Sequence, residues 1–278
     1  MYTPVKNLLS KGATNAKTAK NSLETYILYL APHKQNSKKI NICPKAAGCA
    51  AACLYTAGRG KFSNVQKSRI NKTEFYLHDK EKFILQLAGE LVKINTKAAK
   101  ENKQVAIRLN GTSDLDFIYL LQKYAKLDPF SLKQLIYYDY TKIAGKAIKY
   151  ANYDKYTVTF SRDETNAEYL PQLLKLGVNI SVVFSGELPE TYLGYPVIDG
   201  DKSDIVMLEH KASIIGLRAK GDAKKDTTGF VVHAKEKETI KPFLHYQSIK
   251  ETGRPVEELS AQEYRTLRDE QFLNINLR

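Results

Sequence analysis

Two patterns of apolar positions alternate along this chain. Short, nearly continuous apolar runs are separated by longer stretches in which apolar residues recur every three or four positions. The first pattern marks buried strands and the second amphipathic helices. Glu24-Thr-Tyr-Ile-Leu-Tyr-Leu30 reads as a strand stopped by Ala31-Pro32. Residues 64–77 and 79–100 read as helices. In the second, Phe83, Ile84, Leu87, Leu91 and Ile94 share a face, Asp79 suits the N-cap, and Lys97 and Lys100 suit the C-terminal end. Further strands are predicted at 105–109, 135–139, 156–160, 178–184, 195–198, 212–216 and 229–233, with helical patterns at 113–126, 141–151 and 167–176. Within the second of these strands, alternation puts Tyr138 and Tyr140 on one face and Tyr137 and Asp139 on the other, as packing residues.

Strands alternating with helices predict an α/β fold with a mostly parallel sheet. Six to eight such strands in a row predict a partial or complete parallel (β/α) barrel-like fold. Residues 54–103 form a helical insertion after the loop at 43–53. The expected organisation is a flexible basic arm at 1–22, the barrel-like domain at 23–234 and a C-terminal helical appendage at 235–278.

Composition narrows the setting. Hydrophobic residues make up 43% of the 278-residue chain, enough for a sizeable core. No apolar run approaches the ~18 residues of a membrane span, and no secretory pattern opens the chain. Both point to a soluble protein of a reducing cytosol that does not bind membranes. The net charge is +13, and residues 1–100 hold 18 Lys and Arg against 5 Asp and Glu. The whole excess lies there, a field that attracts a nucleic acid or a nucleotide, or else a lysine-rich surface that aids solubility.

Cys43, Cys49 and Cys53 are the only cysteines, and they fall within eleven residues. Three thiolates at this spacing can converge on one metal centre. A [4Fe–4S] cluster normally takes four cysteines, so three leave one iron open. Zinc held by the three cysteines and a distant histidine, with His33 the nearest upstream, is the alternative. The spacing does not separate the two.

In a parallel α/β fold the chemistry gathers at the C-terminal ends of the strands. There the sequence places Arg108-Leu-Asn-Gly-Thr-Ser-Asp114, Tyr138-Asp-Tyr-Thr-Lys142, Ser161-Arg-Asp-Glu164, Ser185-Gly-Glu187, Asp199-Gly-Asp-Lys-Ser-Asp204 and Arg218-Ala-Lys-Gly221. Asn110, Gly111, Thr112 and Ser113 can form a backbone-rich loop for an amino group, ribose or phosphate, or only a turn before a capped helix. Arg162 and Arg218 can clamp a carboxylate or phosphate, or form surface ion pairs. Residues 199–204 lack the downstream Glu of a calcium loop.

Two resemblances arise from these strings. Tyr26-Ile-Leu-Tyr-Leu-Ala-Pro32, Cys53-Leu-Tyr-Thr-Ala-Gly-Arg-Gly-Lys-Phe62, Arg108-Leu-Asn-Gly-Thr-Ser-Asp114, Tyr138-Asp-Tyr-Thr-Lys142 and Gly216-Leu-Arg-Ala-Lys-Gly221 resemble the phage gene product 88 family. That likeness implies bacteriophage or mobile-element origin and a host-cytoplasmic location, and it carries no activity. More loosely, the order of strand, three-cysteine loop and repeated strand–helix units is similar to the radical S-adenosylmethionine (SAM) superfamily. That similarity implies that Cys43, Cys49 and Cys53 ligate a [4Fe–4S] cluster and that Gly111, Thr112 and Ser113 stand where the SAM amino group is held. Departures are the spacing, five then three intervening residues rather than three then two, and Ala52 in place of an aromatic residue.

The expected function is therefore an iron–sulfur, radical-SAM-like enzyme acting on a phosphate-bearing substrate, nucleic acid or nucleotide. The rival is a nucleic-acid-binding or replication-linked protein with a structural zinc or iron–sulfur site and no SAM chemistry.

Overall fold

The computed structural model describes residues 2–12, 21–50 and 58–233. These residues form one mixed α/β unit around a mostly parallel ten-stranded sheet. The strands are β1 (Leu9–Lys11), β2 (Glu24–Leu28), β3 (Val105–Arg108), β4 (Leu135–Thr141), β5 (Tyr156–Ser161), β6 (Asn179–Phe184), β7 (Thr191–Tyr192), β8 (Tyr195–Asp199), β9 (Ile214–Arg218) and β10 (Val231–Val232). The helices are α1 (Ser63–His78), α2 (Lys80–Lys100), α3 (Phe117–Ala125), α4 (Ala144–Tyr150) and α5 (Leu170–Lys175). The strand order is β1-β2-β3-β4-β5-β6-β9-β8-β7, with β10 beside the end of β6. The sheet is open, with β1 and β7 at its two ends, so the complete-barrel form is not met.

From β2 to β6 each parallel strand lies next to its predecessor. Crossovers that step in one direction with one hand deposit their helices on one face. All five helices accordingly pack into one core, through Phe75, Phe83, Leu121, Ala147 and Leu173 among others, against Ile107, Tyr137, Val158, Phe160 and Val182 of the strands. The step from β8 back to β9 reverses direction, and its connection, which includes a short 3-10 helix at Val206–Glu209, crosses the face opposite the α-helices. There Ile205 and Met207 pack on Ala106, Tyr138 and Ile215. The two tyrosine faces expected in β4 are both seen, with Tyr137 in the helix-side core and Tyr138 opposite.

The expected arm at 1–22 differs where it is described. Leu8 and Leu9 are buried, and Leu9–Lys11 pairs antiparallel with β2. Glu90 of α2 accepts the Leu8 and Leu9 amides at 2.7 and 2.9 Å, and Lys72 of α1 donates to the Leu8 carbonyl at 2.6 Å. Two helix side chains thus hold a segment too short for its own periodicity to show. Asp79 stands at the N-cap of α2, but its carboxylate accepts from Tyr2 at 2.7 Å and Lys82 at 3.0 Å rather than from a cap amide. The appendage expected at 235–278 lies outside the described residues, as do 13–20 and 51–57.

Candidate metal centre and the strand-end rim

The cysteine loop follows β2 and lies on the ends of later strands. Its entry is fixed by backbone bonds: the Ile42 amide donates to the His33 carbonyl at 3.2 Å, and the Asp114 amide donates to the Ile42 carbonyl at 2.9 Å. The Cys43 thiol reaches the Thr112 carbonyl at 3.5 Å. A turn from Cys43 to Ala46 leads into a short 3-10 helix, Gly48–Ala50. The Gly48 amide donates to Glu164 Oε1 at 2.6 Å. A Cβ on Gly48 would collide with Thr228 Oγ1 and stand 2.8 Å from Glu164 Oε1, so glycine is what allows this approach. Cys49 packs against Ala219, Ala223, Phe230 and Val231. The loop therefore touches segments following β3, β5 and β9 and leading into β10.

Cys43 and Cys49 are both half-buried. Cys53, the third expected ligand, lies outside the described residues. Among the described residues no three His, Cys, Asp or Glu side chains gather as a metal site. The donor chemistry nonetheless fits: two thiols on one sheltered loop, with a third four residues on in sequence, suit zinc or iron–sulfur binding. His33 meets the loop through its carbonyl.

The loop at 110–114 is held by a buried polar network. Asn110 donates its amide and its side-chain nitrogen to the two oxygens of Asp139, each at 2.9 Å, and its side-chain oxygen accepts from Ser113 Oγ and the Leu115 amide. Asp114 accepts from Thr141 Oγ1 at 2.8 Å, the Lys142 amide at 2.8 Å and Lys146 Nζ at 3.2 Å. Burial raises the Asp139 carboxyl above its ordinary range, against the pull of Lys146 and Arg108. Burial also presses on the Lys146 ammonium, but Asp114, Asp139 and Asp116 outweigh it and keep that pKa raised. Thr112 Oγ1 donates to the Leu30 carbonyl at 2.5 Å. A Cβ on Gly111 would stand 2.5 Å from the Tyr29 ring and 2.8 Å from Ile27 Cγ2. The side chains of Asn110, Thr112 and Ser113 thus serve protein partners, and the loop's backbone supports Cys43.

The two arginines do different work. Arg162 is buried and donates Nη1 to the carbonyls of Gly229 and Phe230, fixing the segment that packs on Cys49. Beside it, Lys142 pairs with Asp163 at 3.0 Å and sits 5.3 Å from the Phe230 ring centroid. Arg218 is exposed and pairs with Asp199 at 3.1 Å and Asp201 at 3.4 Å. The structure brings residues 110–113 to Cys43 and Arg162 to the Cys49 side, whereas the Arg218 side chain is engaged by the rim carboxylates.

The face crossed by the β8–β9 connection carries a second constellation. The β8–β9 connection delivers Asp204 to Arg108 Nη1 at 3.2 Å and to the Tyr138 hydroxyl at 2.8 Å. Arg108 lies 4.7 Å over the Tyr140 ring, and Arg69 of α1 lies 4.6 Å over the Tyr29 ring. The hydroxyls of Tyr140 and Thr159 share a face and a register, and both are buried without a hydrogen-bond partner among the described residues. Arg69 has no sequence signal, because a lone arginine on a helix surface looks like any other.

Lys34, Lys38, Lys39 and Lys45 are exposed on the segment that includes the cysteine loop. No helix among the described residues is long and apolar enough to cross a membrane.

No curated protein and no solved structure matches the chain. A family profile described as gene product 88 matches residues 7–234, which takes in the sheet, the cysteine loop and the strand-end rim. The chain belongs to the gene product 88 family, the phage lineage that its motifs resemble.

Proposed function

We propose that this protein is an iron–sulfur enzyme of radical-SAM-like architecture that acts on a phosphate-bearing substrate, a nucleotide or nucleic acid. The observation that carries the reading is the seat of the cysteine loop. It follows the first parallel strand and is fastened to residues beyond β3, β5 and β9, where parallel α/β folds gather their chemistry. The winding supports a partial barrel. β3 and β9 are four strand spacings apart, about 19 Å on a flat sheet, yet Ala106 and Ile215 join one cluster around Ile205 and Met207. Tyr138, Ile205 and Met207 bridge that distance, and a concave sheet would shorten it.

In this reading Cys43, Cys49 and Cys53 hold the cluster, and the loop at 110–113 orients SAM beside it. The bound cluster would supply an electron to SAM. Arg162 keeps the Gly229–Phe230 segment against Cys49, and Phe230 and Val231 shelter the centre from water. The exposed lysines at 34, 38, 39 and 45 attract the polyanion.

The test is anaerobic purification followed by iron, sulfide and zinc analysis and EPR of the reduced protein with and without SAM. A cluster whose signal SAM perturbs supports the enzyme. A colourless protein with one zinc and salt-sensitive DNA or RNA binding supports the binding-protein alternative.

A further inference from the structure

We infer that Arg108, Tyr140 and Thr159 form a phosphate-binding site at the strand-end rim, and that Asp204 holds the site with its own carboxylate until the ligand displaces it. The inference deepens the phosphate-bearing-substrate reading above, but it stands on residues outside the cysteine loop. Arg108 closes β3, and its Nε donates to the Asn110 carbonyl at 3.3 Å. Its Nη1 reaches the two oxygens of Asp204 at 3.4 and 3.2 Å. A well-seated charge-assisted bond measures about 2.8 Å. One nitrogen serves both oxygens, so the fork of the guanidinium is not used. Nη2 makes no hydrogen bond among the described residues, and 16% of the side chain stays exposed, which leaves an anion a way in.

Two hydroxyls beside that guanidinium lack partners. Tyr140 and Thr159 stand opposite each other on β4 and β5, and the Tyr140 ring lies 4.7 Å under Arg108. Thr159 is fully buried, and neither hydroxyl oxygen has a hydrogen-bond partner among the described residues. Buried polar atoms are seldom left so. Burial, and then the charge of Asp204, raises the Tyr140 pKa, so its hydroxyl stays protonated and able to donate. Asp204 binds Arg108 and the Tyr138 hydroxyl but reaches neither of these two. A phosphate has more oxygens and more charge than a tethered carboxylate, so it can take the guanidinium fork and both hydroxyls together. Asp204 is placed to yield. Its amide is held by Asn21 Oδ1 at 3.0 Å, so the side chain can turn away while the backbone of the connection stays fastened.

Asp204→Asn removes the competing charge and keeps the shape. Full-length wild type, Asp204→Asn, Thr159→Val and the double variant would be titrated calorimetrically with pyrophosphate, dAMP and deoxyadenosine, with thermal melts alongside. Asp204→Asn should bind pyrophosphate and dAMP about tenfold tighter than wild type or more, because like charges side by side cost several kcal/mol. Adding Thr159→Val should weaken both about tenfold, the worth of one hydrogen bond to a charged group. The same change should leave the melting temperature without ligand unchanged or higher, since the hydroxyl it removes has no partner. If Asp204→Asn does not fold, Thr159→Val against wild type reads the same loss. Deoxyadenosine, which has no phosphate, should gain nothing from Asp204→Asn. Equal affinity in wild type and Asp204→Asn, Thr159→Val without effect on binding, or a gain shared by deoxyadenosine overturns the inference. So does a chain that binds neither pyrophosphate nor dAMP, even if it carries an iron–sulfur cluster. The expected binding pattern in a chain without iron upholds this site while removing the cluster.

Discussion

The amide of Asp114 donates to the carbonyl of Ile42 at 2.9 Å, so the loop after β3 and the residue before Cys43 move as one piece. Asp114 is itself anchored from below by Thr141, Lys142 and Lys146. The position of Cys43 is thereby set by a buried lysine about a hundred residues away in sequence.

Asp114→Ala should be strongly destabilising, by about 3–5 kcal/mol, because it leaves Lys146 buried beside a missing partner. The measurement is the denaturant midpoint with unchanged m-value. A loss under about 1 kcal/mol would show that the network does not hold the loop.

Gly48→Ala tests the close approach. Its Cβ would meet Thr228 and Glu164, so those side chains or the loop must shift and the Gly48–Glu164 hydrogen bond is disturbed, at a cost of about 1–3 kcal/mol. Iron retention should fall more than global stability does. Alanine tolerated with full metal content would mean that the Glu164 clamp is dispensable. Gly111→Ala, which points its methyl at Tyr29 and Ile27, should cost a similar amount.

Lys72 gives a pH signature. Burial pushes its ammonium down from 10.5 to about 8, with Glu90 partly opposing. A base whose folded pKa is lowered burdens the fold while both states are protonated. Between pH 8 and 10.5 the unfolded chain holds a proton that the folded one has released, so this group's contribution to stability rises with pH. The span is on the order of 3 kcal/mol. Wild type minus Lys72→Met should climb by that amount from pH 8 to 10.5. A flat difference would mean that Lys72 keeps its ordinary pKa.

The basic half of the chain predicts salt-dependent binding. Reversing Lys38, Lys39 and Arg59 should weaken single-stranded DNA or RNA binding and reduce the slope of log K against log salt by about two. An unchanged slope would remove these residues from the binding surface.

Much of the scaffold was legible because its periodicity is local. The apolar stripe of α2 and the run at 178–184 announce themselves, and the expected spans fall within a few residues of α2 and β6. β1 was not legible, since its three residues are held by Glu90 and Lys72 from distant helices. At the rim, the clustering of residues at strand ends was visible, but their partners were not. Arg162 and Arg218 look alike in sequence. One is buried against the backbone carbonyls of the segment leading into β10, and the other is paired with half-buried carboxylates that open the return from β8 to β9. Asp204 reaches Arg108 by the same return, which no local pattern encodes.

The central claim is that the cysteine loop carries an iron–sulfur centre. Its most direct test is iron and sulfide content of anaerobically purified wild type beside Cys49→Ala. The account predicts about four irons and four sulfides per wild-type chain, and loss of both in the variant. A wild-type chain that contains no iron, or an unchanged iron content in Cys49→Ala, would contradict it.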